Sequence, residues 1–113
     1  MILQQTDNFI KNCMKAWLLC QSCIHTETVR AKPKQSLIAK CRACSSSCFA
    51  VVGRLISNAD DIQEYAFACV LDCRECFDEC EKYADIKDIQ YCGQVCIDCA
   101  DILKRLVVIS NLN

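Results

Sequence analysis

The sequence predicts an all-α protein, an antiparallel up-down-up-down four-helix bundle with a cysteine-lined core. Three observations predict it. Thirteen cysteines stand in 113 residues. They fall in four groups, and every step inside a group is three, four or seven residues. At about 100° per residue, each group stays within a stripe roughly 60–80° wide on an ideal helix. Only two glycines and one proline interrupt the chain, which suits long helices and argues against an all-β fold.

The first helix is expected to begin near Thr6, with Asp7 in its first turn, and to run past Cys13, Cys20 and Cys23 to about Thr28. Ala31-Lys32-Pro33 marks the break, and Pro33 suits the first turn of the next helix. The second helix carries Leu37, Cys41, Cys44, Cys48, Val52 and Leu55 and stops at Ser57-Asn58. Asp60 and Asp61 are placed for the N-terminus of the third, which carries Ile62, Cys69, Cys73, Cys76 and Cys80.

The last junction has neither Gly nor Pro. Cys80 to Cys92 is twelve residues, and on a continuous helix that step turns the stripe by about 120°. Both stripes can face one core only if the helix breaks between them. Asp85 is the expected N-cap, with Asp88 three residues on. The fourth helix then carries Ile89, Cys92, Cys96, Cys99, Leu103 and Leu106. Short connections make neighbouring helices antiparallel, and the length predicts one domain over residues 1–113.

This topology gives the bundle two unlike ends. Phe9, Ile10, Val52, Leu55, Ile62, Tyr65, Leu103 and Leu106 gather at one as an apolar plug. Cys23, Cys41, Cys80 and Cys92 gather at the other, beside a loop expected to hold His25, the candidate first-contact ligand for an incoming ion. Met14 points about 130° from the mean thiol direction and reads as exterior packing. Trp17 reads as a core filler. Glu75, Asp78, Glu79, Glu81 and Lys82 read as a solvated face. Leu18, Leu19, Phe49, Val70, Leu71, Val95 and Ile97 exceed what one narrow stripe buries, so some line seams and the rest suit an oligomer interface.

Several function classes are disfavoured. The formal net charge of −1 offers no phosphate-reading surface for nucleic acid. No stretch approaches the roughly 18–20 apolar residues of a membrane span. The N-terminus lacks the basic and apolar runs of a signal peptide, so the chain reads as cytoplasmic, where thiols stay reduced. One histidine, no Ser/His/Asp arrangement and no Gly-rich phosphate loop argue against an enzyme.

Thiols at i,i+3 and i,i+4 have Cβ atoms about 5–6 Å apart, too far for the roughly 3.5–4.5 Å of a disulfide. The same spacing suits a soft ion bridging two sulfurs. Cu(I) accepts two or three thiolates, and one Cu(I) per thiolate leaves the core neutral. Tetrahedral zinc with four thiolates leaves two negative charges at each site. Cys13, Cys20, Cys23, Cys41, Cys44, Cys48, Cys69, Cys73, Cys76, Cys80, Cys92, Cys96 and Cys99 are therefore the expected ligands of multiple Cu(I) ions. Two alternatives stand beside this reading: a thiol redox protein working through a pair such as Cys20 and Cys23, and a zinc or iron–sulfur protein. Simple packing by small side chains accounts for one or two cysteines and not for thirteen in register.

The run Cys69-Val70-Leu71-Asp72-Cys73-Arg74-Glu75-Cys76-Phe77-Asp78-Glu79-Cys80-Glu81-Lys82-Tyr83 resembles the third helix of the bacterial four-helix-bundle copper storage proteins. Tyr91-Cys92-Gly93-Gln94-Val95-Cys96-Ile97-Asp98-Cys99-Ala100 is similar to the start of their fourth. The resemblance implies a homotetramer of bundles, each storing many Cu(I) ions loaded through one end. It also implies exchange with a copper chaperone or a recipient cuproenzyme. The chain departs from the family pattern at Trp17, which occupies a thiol position, and at Tyr83, where members often carry His. Its last helix ends in Ile102, Leu103 and Leu106 rather than further thiols.

Overall fold

A computed structural model describes the backbone of residues 2–111 and the side chains of residues 5–107. The start of the segment read above for targeting, Met1, lies outside them. Four helices follow one another: α1 (Ile2–Thr28), α2 (Gln35–Ile56), α3 (Ile62–Glu81) and α4 (Lys87–Asn111). Each packs on its sequence neighbour, and α4 closes against α1. The body measures 48 × 21 × 21 Å. Cross-helix pairs run in opposite chain directions on every seam. Cys20 meets Cys96 and Cys99 meets Cys13 between α1 and α4. Cys41 meets Cys76 and Cys69 meets Cys48 between α2 and α3. Cys96 meets Cys76 and Gly93 meets Cys80 between α4 and α3. Gln21 of α1 reaches Ser45 of α2, and Glu27 reaches Lys34 just ahead of α2. The bundle is therefore antiparallel throughout, as the short connections predict.

The helix ends follow local chemistry. Asn58 stops α2 with a φ of 53°, a left-handed conformation that Asn tolerates better than most residues. Asn58 N–H donates to the Leu55 carbonyl at 3.3 Å and Ala59 N–H to the Arg54 carbonyl at 3.0 Å, the paired bonds of a Schellman motif. Arg54 then ties this corner to α3 through Asp61 at 3.1 Å and the Tyr65 hydroxyl at 2.6 Å.

Three boundaries differ from expectation. Helix α1 begins at Ile2, four residues before Thr6. Pro33 lies ahead of α2 rather than in its first turn, because the Lys34 backbone N–H is taken by the Glu27 carboxylate at 3.1 Å and Lys34 has a non-helical ψ of 87°. The break before α4 is present, but Asp85 is not its N-cap. Ile86, whose side chain packs on the core, accepts the first i→i+4 bond, from Gln90 at 2.9 Å.

The two glycines do opposite things. Gly93 sits where α4 crosses α3, and a Cβ there meets the Cβ of Cys80 at 2.7 Å. Gly53 on α2 has no such neighbour within 4 Å. Gly53→Ala is expected to stabilise the fold by about 0.5–1 kcal/mol, the helix-propensity difference. Denaturant unfolding of the reduced protein checks this, and a loss of stability contradicts it.

Candidate metal centre

Twelve of the thirteen thiols are buried in one core, and only Cys23 is part-exposed. Each helix delivers its own stripe inward. Across the helices the Sγ atoms make a nearly continuous array. Cys69 lies 3.6 Å from Cys48, and Cys48 lies 3.9 Å from Cys73. Cys73 lies 3.5 Å from Cys44, and Cys44 lies 3.7 Å from Cys96. Cys96 lies 3.6 Å from Cys20 and 3.8 Å from Cys76. Cys76 then reaches Cys41 at 3.8 Å, and Cys20 reaches Cys92 at 4.0 Å. These separations are about twice a disulfide bond length. They are close to the roughly 4 Å that two or three sulfurs on one soft ion adopt. Even Cys69 and Cys73, one turn apart on α3, approach to 3.9 Å.

Ten of the thiols fall into overlapping groups whose sulfurs all lie within 4.8 Å of one another. Two groups have four members, Cys20/Cys44/Cys76/Cys96 and Cys20/Cys41/Cys76/Cys92. Two have three, Cys13/Cys48/Cys99 and Cys44/Cys48/Cys73. Because the groups share members, an ion in one lies a single ligand exchange from the next.

The apolar plug is present: Phe9, Val52 and Leu103 are buried, and Ile10, Leu55, Ile62, Tyr65 and Leu106 pack on the same cluster. At the opposite end, expected to be a cysteine-lined mouth, Cys23 alone of the four thiols is part-exposed. Leu37 and Ile89 lie beyond Cys41 and Cys92 along their helices and are buried, as are Cys41, Cys80 and Cys92 themselves. Glu27 is buried there too. It pairs with Arg30 at 2.9 Å and Lys34 at 3.6 Å, and Lys34 Nζ sits 5.3 Å from the Tyr83 ring centroid. This clasp joins the α1–α2 turn to the end of α3. Sequence reasoning missed Glu27, although it continues the Cys20–Cys23 stripe by one more step of four.

Solvent reaches a thiol at this same end: Cys23 lines a cavity of about 220 Å³ between the last turns of α1 and the start of α4, with Glu27, Arg30, Ile86, Asp88 and Ile89. His25 lies in the last turn of α1 rather than in a loop. It is exposed and is not among the lining residues of that cavity, since two residues on from Cys23 is about 200° round the helix. Two further expectations are corrected. Glu79 is buried, at 5% exposure, in the α2–α3 seam and pairs with Lys82 at 3.0 Å. Trp17 does not fill the core: it is half-buried and tilts against exposed Phe49, with ring centroids 6.3 Å apart. Met14 is half-buried and packs on the core from its edge. Of the surplus apolar residues, Val70 and Val95 are buried in seams, while Leu18, Phe49 and Leu71 stay exposed.

Proton sharing splits the thiols into two kinds. Hydrogen bonds with Cys41, Cys44, Cys76 and Cys92, and then burial, push Cys20 far up. Cys13, Cys44, Cys69 and Cys73, with burial, do the same to Cys48. In contrast, Cys13, Cys48 and Cys73 bring Cys69 down to about 6, and Cys20 and Cys41 chiefly bring Cys76 down to about 6.

A pH profile follows. An unfolded thiol ionises near 9.0. Cys69 and Cys76 are lowered by folding, so their stabilisation is present above that value and is lost as pH falls toward 6. Cys20 and Cys48 are raised, so theirs is present below it and is lost as pH rises beyond. Each thiol changes stability by about 1.4 kcal/mol per pH unit in its window. The reduced, metal-free protein is expected to be most stable near pH 9.0, and denaturant unfolding across that range checks it. A steady fall or rise through pH 9.0 contradicts it.

Residues 2–108, nearly the whole chain, match the family model described as Copper storage protein. No curated protein and no solved structure matches the chain.

Proposed function

The chain belongs to the copper storage protein family, and from that premise we propose that it stores Cu(I) on its thirteen cysteines, approaching one ion per thiol. The observation that carries this reading is the array of Sγ atoms at 3.5–4.0 Å reaching through all four helices. A thiol redox protein working through one pair leaves that array without a purpose. Neutral copper–thiolate units also suit a core whose acidic residues, Glu27 and Glu79, lie at its periphery with cations of their own.

The ion arrives at Cys23, the thiol that solvent reaches, and passes inward by sulfur-to-sulfur exchange. Its thiol neighbours Cys41 and Cys92 are buried. They therefore receive the ion from Cys23 rather than from solvent.

So many free thiols suit the reducing cytoplasm, where a copper chaperone supplies ions and a cuproenzyme receives them. Exposed Leu18, Phe49 and Leu71 supply apolar surface for a homo-oligomer, a tetramer by family. Its role is storage rather than catalysis.

Anaerobic titration of the reduced protein with Cu(I) against a competing chelator tests the reading. Uptake is expected to approach one ion per cysteine. Saturation at one or two ions per chain overturns storage on the whole array and favours a redox pair, and iron in the purified protein favours a cluster.

A further inference from the structure

Four sulfurs in the middle of the core come one from each helix: Cys20 on α1, Cys44 on α2, Cys76 on α3 and Cys96 on α4. All four are fully buried, and all lie within 4.8 Å of one another. Four of the six edges are 3.6 Å (Cys20–Cys96), 3.7 Å (Cys44–Cys96), 3.8 Å (Cys76–Cys96) and 4.0 Å (Cys20–Cys76). A tetrahedron of sulfurs around an ion with bonds of about 2.3 Å has edges of about 3.8 Å. Cu(I), with two or three sulfurs, leaves at least one corner unused.

We propose that these four thiols form a site for one divalent ion of the zinc class, held while copper is scarce and given up as copper loads. The site goes beyond copper storage, and only its release by copper rests on that reading. Binding takes Zn²⁺ and four thiols to a tetrathiolate and four released protons, leaving two negative charges in the core. Neighbouring thiols that keep their protons offset that charge. Cys73 lies 3.5 Å from Cys44 and Cys41 lies 3.8 Å from Cys76. Once Cys44 and Cys76 have given up their protons, each neighbour can donate an S–H to its ligand sulfur. With Cys20 and Cys76, which the second four-thiol group shares, acting as terminal rather than bridging ligands, the capacity is one ion per chain. Cu(I) paired with thiolate leaves no net charge, so copper displaces the divalent ion.

Co²⁺ is the probe. Added anaerobically to the reduced full chain, it is expected to give the visible bands of a tetrahedral four-sulfur site, saturating at one equivalent and lost on adding Zn²⁺ or Cu(I). The double variant Cys44→Ser, Cys96→Ser should lose that spectrum and weaken binding by more than the roughly 100-fold that loss of a supporting contact can cost. The double variant Cys41→Ser, Cys92→Ser should keep both the spectrum and the end point, since neither is a ligand of the site. Each variant removes two thiols, so Cu(I) capacity should fall equally in both. Loss of the cobalt spectrum from the second variant alone, or equal loss from both, overturns the assignment. So does a wild-type spectrum of an octahedral site, and copper uptake then still reports separately on storage. If circular dichroism shows that the first variant does not fold, X-ray absorption of the zinc-loaded wild-type protein decides. Four sulfurs at about 2.3 Å support the site, and oxygen or nitrogen neighbours overturn it.

Discussion

Cys23→Ser is expected to slow copper uptake by roughly tenfold or more, a barrier increase of about 1.4 kcal/mol, while removing about one ion of capacity. Cys23 is the one part-exposed thiol and lines the cavity between α1 and α4. The plug closes one end of the core, and at the other Cys41, Cys80 and Cys92 are buried while the cavity reaches Cys23. An ion arriving without Cys23 meets no thiol until it has crossed a packed layer. At Cys23 the hydrogen bond with Cys41 lowers the pKa, but the one with Cys92 and burial outweigh it and push the thiol up to about 12. Capture there displaces a proton and therefore speeds up as pH rises. Cys13→Ser is the control, since it removes one ligand from the plug end, where Cys13 is fully buried. Stopped-flow loading of the two variants decides, and equal rates sink loading through Cys23. Replacing Cys23, Cys41, Cys80 and Cys92 together, against Cys13, Cys48, Cys69 and Cys99 together, extends the same comparison.

Gly93→Ala is expected to destabilise the bundle by roughly 1–3 kcal/mol, lowering the melting temperature by several degrees or more. Ala is the better helix former by about 1 kcal/mol, so propensity alone predicts the opposite sign. Packing reverses it. The new Cβ lies 2.7 Å from the Cys80 Cβ and 3.5 Å from its Sγ. The first of these neighbours is fixed to the α3 backbone and cannot swing away, so α3 and α4 must separate. Thermal unfolding of the reduced, metal-free variant checks this, and unchanged stability shows that the two helices can part freely. Together with Gly53→Ala, which meets no neighbour within 4 Å, the pair separates backbone preference from packing at chemically identical substitutions.

The four helices and their thiol stripes were legible in the sequence, because helical periodicity is a local property. A step of three or four residues fixes the angle of a side chain about its own axis. The same arithmetic located the break between Cys80 and Cys92, and Ser57-Asn58 marked the end of α2 through the backbone preference of Asn. Only the tertiary structure decided which thiols meet, because an angle on one helix says nothing of the depth or identity of what faces it. It set Cys20, Cys44, Cys76 and Cys96 around one point and brought Cys80 against Gly93. It also buried Glu27 and Glu79, which look like surface residues until a neighbouring seam covers them. The burial of Cys41, Cys80 and Cys92 at the expected mouth was hidden for the same reason: only the assembled helices bring Leu37 and Ile89 inward and leave Cys23 as the thiol that solvent reaches.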